Sequence, residues 1–550
     1  MASTGALGTG SLTIASATEA TFANSAQTVA DLSGAGTLDL SGTAFTTNDD
    51  NASTTFSGVV SGTGSLIKEG TGTLTLSGTN TYTGGTTVSG GTLEVGDAAH
   101  PLASIAGPVA VDAGGTLRGH GIVHGSVMNS GTVFPGGTIG ILTVNGNYTQ
   151  ASTGTLNIEM TPNDTTPGVG SDQLNVTGSA TLAGKLAVSG TGTVGESYDI
   201  VHAANGVNGT FTQTSYNPAF AAYLTPQVTY GAHDVSLVLK ANPLAFTSGS
   251  GVTESPYIVN QSLFGALSTV LDGAQSTGGA TPHFTDLHHG AWVKGAGDFG
   301  QANGASVTDF GGITGYGKTL SRHLVVGGAF SGLGTTTTTS QQTLHGRSLG
   351  LYDYGIYTRG ALRLSASVGA GALSQDGQRN LAPTGLIATG STSGWFTDTG
   401  IQAQYLIPMG QAFLMPYGSA TYLHSHLNGF SEQGAGSLDL TYGRQTGNLG
   451  ALTGGVRTGV DLTEHRLTII PWVELGGTGI AGNRTLTTTE TLGVTNVNAT
   501  SQMAPAASLD VGMGVTVTSH GPWAARLAYT GQFAGPTHLN SFDLLGRYRF

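Results

Sequence analysis

Hydrophobic and polar residues alternate along most of this chain, and they do so in two different ways. In the first half the runs are short. Thr73-Leu74-Thr75-Leu76 is typical: alternate side chains fall on one side, as a strand requires. A Gly-Thr-Leu unit heads several runs, at Gly36, Gly72, Gly91, Gly115 and Gly154, with the variant Gly131-Thr132-Val133 between the last two. The offsets are 36, 19, 24, 16 and 23 residues, mostly near one period of about twenty. Gly-Gly, Ser-Gly and Asn-Gly pairs punctuate the strands and supply corners. Parallel coils stacked at ~4.8 Å would bury the Leu/Val/Ile side in one continuous core. About ten such coils make a rod of roughly 50 Å.

From Gly290 onward the alternating segments lengthen to about ten residues. Leu452, Gly454, Val456, Val460 and Leu462 share one strand face, with Thr453, Arg457 and Asp461 on the other. Trp523, Ala525, Leu527, Tyr529 and Phe533 alternate in the same way with Arg526, Thr530 and Gln532. An apolar face opposite a charged one suits strands with lipid outside and a wet lumen inside, and only a closed barrel satisfies every backbone group in lipid. Twelve candidate strands start near Gly290, Phe310, Leu324, Ser348, Ala361, Gly394, Gln411, Asn448, Arg466, Met503, Gly521 and Leu539. Their connections alternate between short (Thr319–His323, Arg359–Gly360, Ile407–Gly410, Thr463–His465, Thr518–Gly521) and long (Ser331–Arg347, Ser374–Ser393, Asn428–Gly447, Ala481–Ser501). Trp292, Trp395, Trp472 and Trp523 fall near predicted strand ends, where an aromatic girdle is expected. Phe542, Leu544, Gly546, Tyr548 and Phe550 share one face of the final strand.

Between the halves, Tyr257–Gln275 reads as a helix. Val259, Leu263, Leu267 and Val270 line one side of it, and Gly273 can end it.

Composition narrows the reading. The chain has 550 residues, 91 of them Gly, and only 9 % are charged, which is not the profile of an ordinary cytosolic enzyme. With 38 % hydrophobic residues it is not disordered, and its glycines lack the collagen period. The absence of Cys excludes disulfides, thiolate metal sites and thiol catalysis. Residues 1–247 hold 4 Lys/Arg against 15 Asp/Glu, and residues 248–550 hold 14 against 16, so an acidic first half disfavours nucleic acid as a partner. No apolar run reaches the ~18–20 residues of a membrane helix. The stretch after Met1 shows no signal peptide; either the protein stays inside the cell or its N-terminus is missing, and the second half favours export.

The segment Leu66–Gly96 closely resembles the passenger-associated repeat of bacterial autotransporters (type V secretion). Pro135–Tyr148 and Thr155–Glu159 are similar to that family's late passenger, and Asp172–Gly178, Tyr198–Val201 and Gly209–Phe211 to its junction region. The resemblance covers roughly residues 60–550 and implies an all-β chain. Its parts would be a right-handed parallel β-helix passenger over 1–160, an autochaperone-like junction over 161–247, a linker over 248–280 and a 12-stranded antiparallel transmembrane β-barrel over 281–550. The linker would thread a pore helix, with Val259, Asn260, Leu263, Leu267 and Val270, through the barrel. The closing stripe ending in Phe550 resembles the insertion signal read by the outer-membrane barrel assembly machinery. The implied function is an outer-membrane anchor displaying its own non-enzymatic, adhesin-like passenger at the cell surface. The protein would be a monomer, and its partners outer-membrane lipid, the assembly machinery and a host or cell-surface ligand. Family passengers usually run several hundred residues longer and follow a signal peptide. Two other readings stand beside it: a porin-like channel with a periplasmic solenoid, and a surface polysaccharide-active enzyme, for which Asp49-Asp50 is the only adjacent acidic pair.

Chemical motifs are sparse. Gly312–Thr319 spells a Walker A loop and Gly295–Gly300 a G-x-G-x-x-G, but both lie in alternating strand sequence and open no helix. No G-x-S-x-G, H-E-x-x-H or Gly-Asp-Ser-Gly box is present. The pairs His120/His124 and His424/His426 could share strand faces without an identifiable third ligand, and His283, His288 and His289 cluster ahead of the first long strand. Autotransporters that cut themselves use an Asn in the linker helix, usually in an Asn-Asn pair; here only Asn260-Gln261 is available. No catalytic residue, cofactor or metal site is expected.

Overall fold

The computed structural model describes residues 2–3, 10–47, 51–162, 164–242, 245–246, 290–302, 305–382, 384–464, 467–502, 505–519 and 521–549. The expected pore helix, with Val259, Asn260, Leu263, Leu267 and Val270, lies outside the described residues, as do Asp49-Asp50, His283, His288, His289 and Phe550. The chain forms two compact units, one of Met1–Ala245 with Gly493–Thr495, the other of the remainder.

The first unit is a β-helix of parallel strands in stacked sheets, the largest of nine and ten strands. The repeat places its leucines in one ladder: Leu74 pairs with Leu93, Leu93 with Leu117, Leu117 with Val133, Val133 with Leu156 and Leu156 with Leu186. All six side chains are fully buried. The threonines before them, Thr73, Thr92, Thr116, Thr132 and Thr155, stack outward in a second ladder. Gly91 sits at a corner with φ +57°, a conformation that disfavours a side chain. The first unit of the series behaves differently. Thr37 and Leu38 belong to a separate four-stranded sheet, so the offset of 36 from Gly36 to Gly72 is not two turns of one ladder.

Buried polar groups tie neighbouring coils. Asp172 accepts the Gly140 N–H (3.0 Å) and the Glu159 N–H (2.7 Å). Burial pushes its carboxyl up to about 8. The Lys68 ammonium, buried among the carbonyls of Glu69, Gly70 and Gly90, is pulled down to about 8 by desolvation. Arg118 and Glu94, register partners on adjacent coils, pair at 3.2 Å. At the far end of this unit, Leu224–Tyr230 and Asp234–Ala241 form an antiparallel hairpin that pairs with Ser197–Ala203.

The second unit is the barrel. Its strands are β1 Gly290–Ala302, β2 Ala305–Ser321, β3 Leu324–Thr338, β4 Gln342–Arg359, β5 Leu362–Leu381, β6 Leu386–Tyr405, β7 Ala412–Leu427, β8 Gln445–Val460, β9 Leu467–Gly482, β10 Ala507–Ser519, β11 Trp523–Ala534 and β12 Thr537–Arg549. Each pairs antiparallel with the next, and β1 pairs with β12 from Gly290↔Arg549 to Gln301↔His538, which closes the ring. No strand edge is left for lipid to solvate.

β5 marks the membrane band. Leu362, Leu364, Ala366, Val368, Ala370 and Ala372 face outward, followed on the same face by Ser374, Asp376, Gln378 and Asn380. The apolar stretch matches the ~9–11 residues a tilted strand needs to cross a bilayer. Beyond it the ladder simply continues. The segments Ser331–Arg347 and Ser374–Ser393, expected as long loops, are therefore mostly strand, with tight turns beyond Thr338 and Leu381. Asn428–Gly447 and Ala481–Ser501 do contain long connections, which carry short strands at Phe430–Ser431, Thr441–Tyr442, Thr485–Leu492 and Thr495–Gln502. Sequence-based starts at the end of the barrel where β1 begins and β12 ends fall within two residues of the observed ones. At the opposite end Gly394 lies eight residues inside β6, because the outward face there is polar and the period-two signal fades.

Candidate functional site: the barrel lumen

Inward positions of the barrel form two kinds of surface. One is apolar and aromatic: Trp292, Ile313, Tyr352, Tyr354, Ile356 and Phe396 belong to one buried cluster. Trp292 Nε1–H donates to Tyr354 Oη at 2.9 Å, with the rings edge-on at 6.1 Å.

The other surface is charged. Glu474 accepts Arg457 Nη2 at 2.6 Å and the Tyr417 hydroxyl at 2.7 Å. Arg457 lies over the Trp472 ring at 4.4 Å and Arg526 at 5.4 Å, so two guanidiniums share one indole. Asp543 stands 3.6 Å from Lys294 and 3.7 Å from Arg526. Thr478 donates to Asp510 at 2.5 Å, and Ser508 donates to the same carboxylate at 2.9 Å. Lys294, Tyr417, Arg457, Glu474, Thr478, Asp510, Arg526 and Asp543 line a shared internal space together with Asp298, Gln402 and Gln404. Three cations (Lys294, Arg457 and Arg526) and five carboxylates (Asp298, Asp309, Glu474, Asp510 and Asp543) line this space, so it is a polar surface of mixed charge with an acidic excess.

The two surfaces share a packing device. Inward aromatics stand directly opposite inward glycines on the adjacent strand: Trp292/Gly315, Tyr354/Gly327, Tyr352/Gly369, Phe396/Gly371, Phe413/Gly459, Tyr417/Gly455 and Trp472/Gly514. In every pair a Cβ on the glycine would run into the aromatic ring or its hydroxyl. Sequence reasoning missed this, because the pairing depends on register between strands.

The expected aromatic girdle is corrected in half its members. Trp395 and Trp523 are each 45 % exposed on the outer wall, whereas Trp292 and Trp472 are 7 % and 5 % exposed and turn into the lumen. The period of two decides it: Trp292 shares its face with Lys294, and Trp472 with Glu474. On β12, Phe542, Leu544 and Tyr548 are exposed on the outer wall, while Asp543 and Leu545 are buried on the inner one. Phe542 stacks on Phe299 across the closing seam, at 6.0 Å between ring centroids.

At the end of the barrel opposite the start of β1, Glu432 of the β7–β8 connection accepts Arg379 Nη2 (2.6 Å), the Leu440 N–H (2.9 Å) and the Tyr442 hydroxyl (3.0 Å), and both charges are buried. The Walker-like Gly312–Thr319 lies within β2 and Gly295–Gly300 within β1, as ordinary strand. His120 contacts the Ile139 carbonyl and His124 contacts Asn145, each on the next coil. Among the described residues no group of three or more His, Asp or Glu could hold a metal ion.

Residues 291–530 match the family model of the autotransporter beta-domain, and residues 66–95 match the passenger-associated-transport-repeat. No curated protein matches the chain. Among solved structures, it is similar to the translocator domain of autotransporter NalP from Neisseria meningitidis, at 15 % identity and TM-score 0.43, over 54 % of this chain and 99 % of that one. It is also similar to the beta domain of the Bordetella autotransporter Brka, at 16 % identity and TM-score 0.39, over 48 % of this chain and 100 % of that one. The transport unit of the autotransporter AIDA-I from Escherichia coli shares 12 % identity with TM-score 0.36, over 48 % of this chain and 91 % of that one.

Proposed function

Because the chain carries an autotransporter β-domain preceded by a passenger-associated repeat, we propose that its barrel anchors and delivers its own β-helix to the cell surface, where that passenger acts as a non-enzymatic, adhesin-like rod. The observation that carries this reading is the covalent order of the two parts: a stacked solenoid followed by a barrel that one chain closes by itself. A solenoid coil gains its burial only when the next coil stacks on it, so folding outside a narrow pore can bias movement outward. The rod's outward threonine ladder, Thr73 to Thr155, offers a flat, uncharged strip suited to contact rather than chemistry. The outward stripe of β12, with Phe542, Leu544 and Tyr548, is the surface we assign to recognition by the assembly machinery.

The absence of native cysteine makes the test direct. In Thr116→Cys the thiol sits on the outward ladder, and a membrane-impermeant maleimide applied to intact cells should label it. Labelling only after the outer membrane is permeabilised would place the solenoid in the periplasm and overturn the reading.

A further inference from the structure

His424 and His426 stand on the outer face of β7, alternating with the buried Leu423, Ser425 and Leu427. They lie past Tyr422 toward the loop end, beyond the apolar stretch of their strand, so water reaches them. Two residues apart on one strand face, their Cα atoms are about 6.6 Å apart.

Their neighbours fix how the rings are held. On the β6 side the Trp395 ring flanks both imidazoles, at 5.1 Å from His424 and 5.8 Å from His426. On the β8 side, His424 Nδ1 lies 2.7 Å from Asn448 Oδ1 and His426 Nδ1 lies 3.4 Å from Thr446 Oγ1. Asn448 Oδ1 also accepts the Tyr422 hydroxyl at 2.9 Å, and its Nδ2 donates to Asn483 Oδ1 at 3.2 Å. In this orientation the Asn448 oxygen faces His424, which donates through Nδ1 and keeps the Nε2 lone pair. That is the outer hydrogen bond by which metal-ligating histidines are set in tautomer and orientation.

We propose that His424 and His426 form a two-histidine chelate for a divalent transition ion of the Cu2+, Ni2+ or Zn2+ class, through their Nε2 atoms. Among the described residues no third protein ligand converges there, so water fills the remaining positions. Imidazole nitrogen suits these ions, and the chain has no thiol to compete. Asn448 and Trp395 are positioning residues.

The test is a Cu2+ titration of the full-length protein refolded in detergent, read by tryptophan fluorescence and by electron paramagnetic resonance. The paramagnetic ion should quench Trp395. H424N/H426N should bind one Cu2+ fewer per chain and lose that quenching, while still showing heat-modifiable mobility. N448L should bind at the same stoichiometry at least tenfold more weakly. If the double variant fails to refold, H426N alone should weaken binding at least tenfold. Unchanged stoichiometry and quenching in the double variant, or unchanged affinity in H426N, would overturn the proposal.

Discussion

Trp292 and Gly315 face each other across the first hairpin of the barrel, and a single methyl group at Gly315 would lie 2.5 Å from the indole ring. The lumenal wall is thus built by laying inward aromatics over missing side chains. This lets large rings lie flat against the sheet without closing the lumen.

Gly315→Val should displace Trp292 from that seat and break its hydrogen bond to Tyr354. A loss of about 1–3 kcal/mol is expected from overpacking. Urea titration of the refolded protein, followed by gel mobility without boiling, measures it. Gly328→Val, at an outward glycine of β3 with nothing nearer than 3.6 Å to its Cβ, is the control and should change little.

The β-helix should be least stable near pH 8. Asp172, raised from 3.8 to about 8, keeps a proton in the folded state that the unfolded chain has released, so stability falls as pH rises from about 4 to 8. Lys68, lowered from 10.5 to about 8, has the opposite sign: the unfolded chain holds the extra proton between 8 and 10.5, so stability recovers there. Proteolysis of the solenoid across pH 5–10 should show a maximum rate near pH 8, with the open fraction rising by at least about tenfold from pH 5 to 8. Asp172→Asn should flatten the acidic limb, and a profile unchanged in that variant would contradict the assignment.

The repeat, the barrel and its strand count were legible in the sequence because period-two alternation and a recurring Gly-Thr-Leu unit report directly on burial. Trp292 and Trp472, placed in the girdle for their nearness to strand ends, share their faces with Lys294 and Glu474, which was the sequence signal for the lumen. What stayed hidden was relational. The seven aromatic–glycine pairs needed register, and the Arg379–Glu432 contact joins residues 53 apart across a loop. Likewise His424 and His426 were visible as a pair, but the Asn448 amide that orients one of them belongs to the next strand.

Breaking the loop anchor should loosen the loop and spare the barrel. Glu432→Ala removes one of the two carboxylates that face the buried Arg379, Glu490 being the other, and leaves the Leu440 N–H and Tyr442 hydroxyl without their acceptor, a defect of about 1–3 kcal/mol. Trypsin should then cut at Arg444 while heat-modifiable mobility persists. Glu432→Gln, which keeps an acceptor oxygen of the same reach while Glu490 still faces Arg379, should lose less protection than Glu432→Ala.

Asp353 is an anomaly of the outer wall. It faces outward between Leu351 and Gly355 on β4, opposite Val368 in the middle of the apolar stretch of β5. A lipid-facing carboxylate is costly, so Asp353→Leu should stabilise the refolded barrel by about 1–2 kcal/mol in urea. A destabilised variant would show that the carboxylate has a partner in the membrane.

The central claim is that one chain carries its own solenoid across the outer membrane, and protease treatment of intact cells tests it most directly. Added protease should remove the β-helix and leave a membrane-embedded fragment of about 300 residues, containing β1 to β12, that still migrates anomalously until boiled. Full protection of the solenoid while the outer membrane is intact, with digestion only after it is permeabilised, would contradict the account.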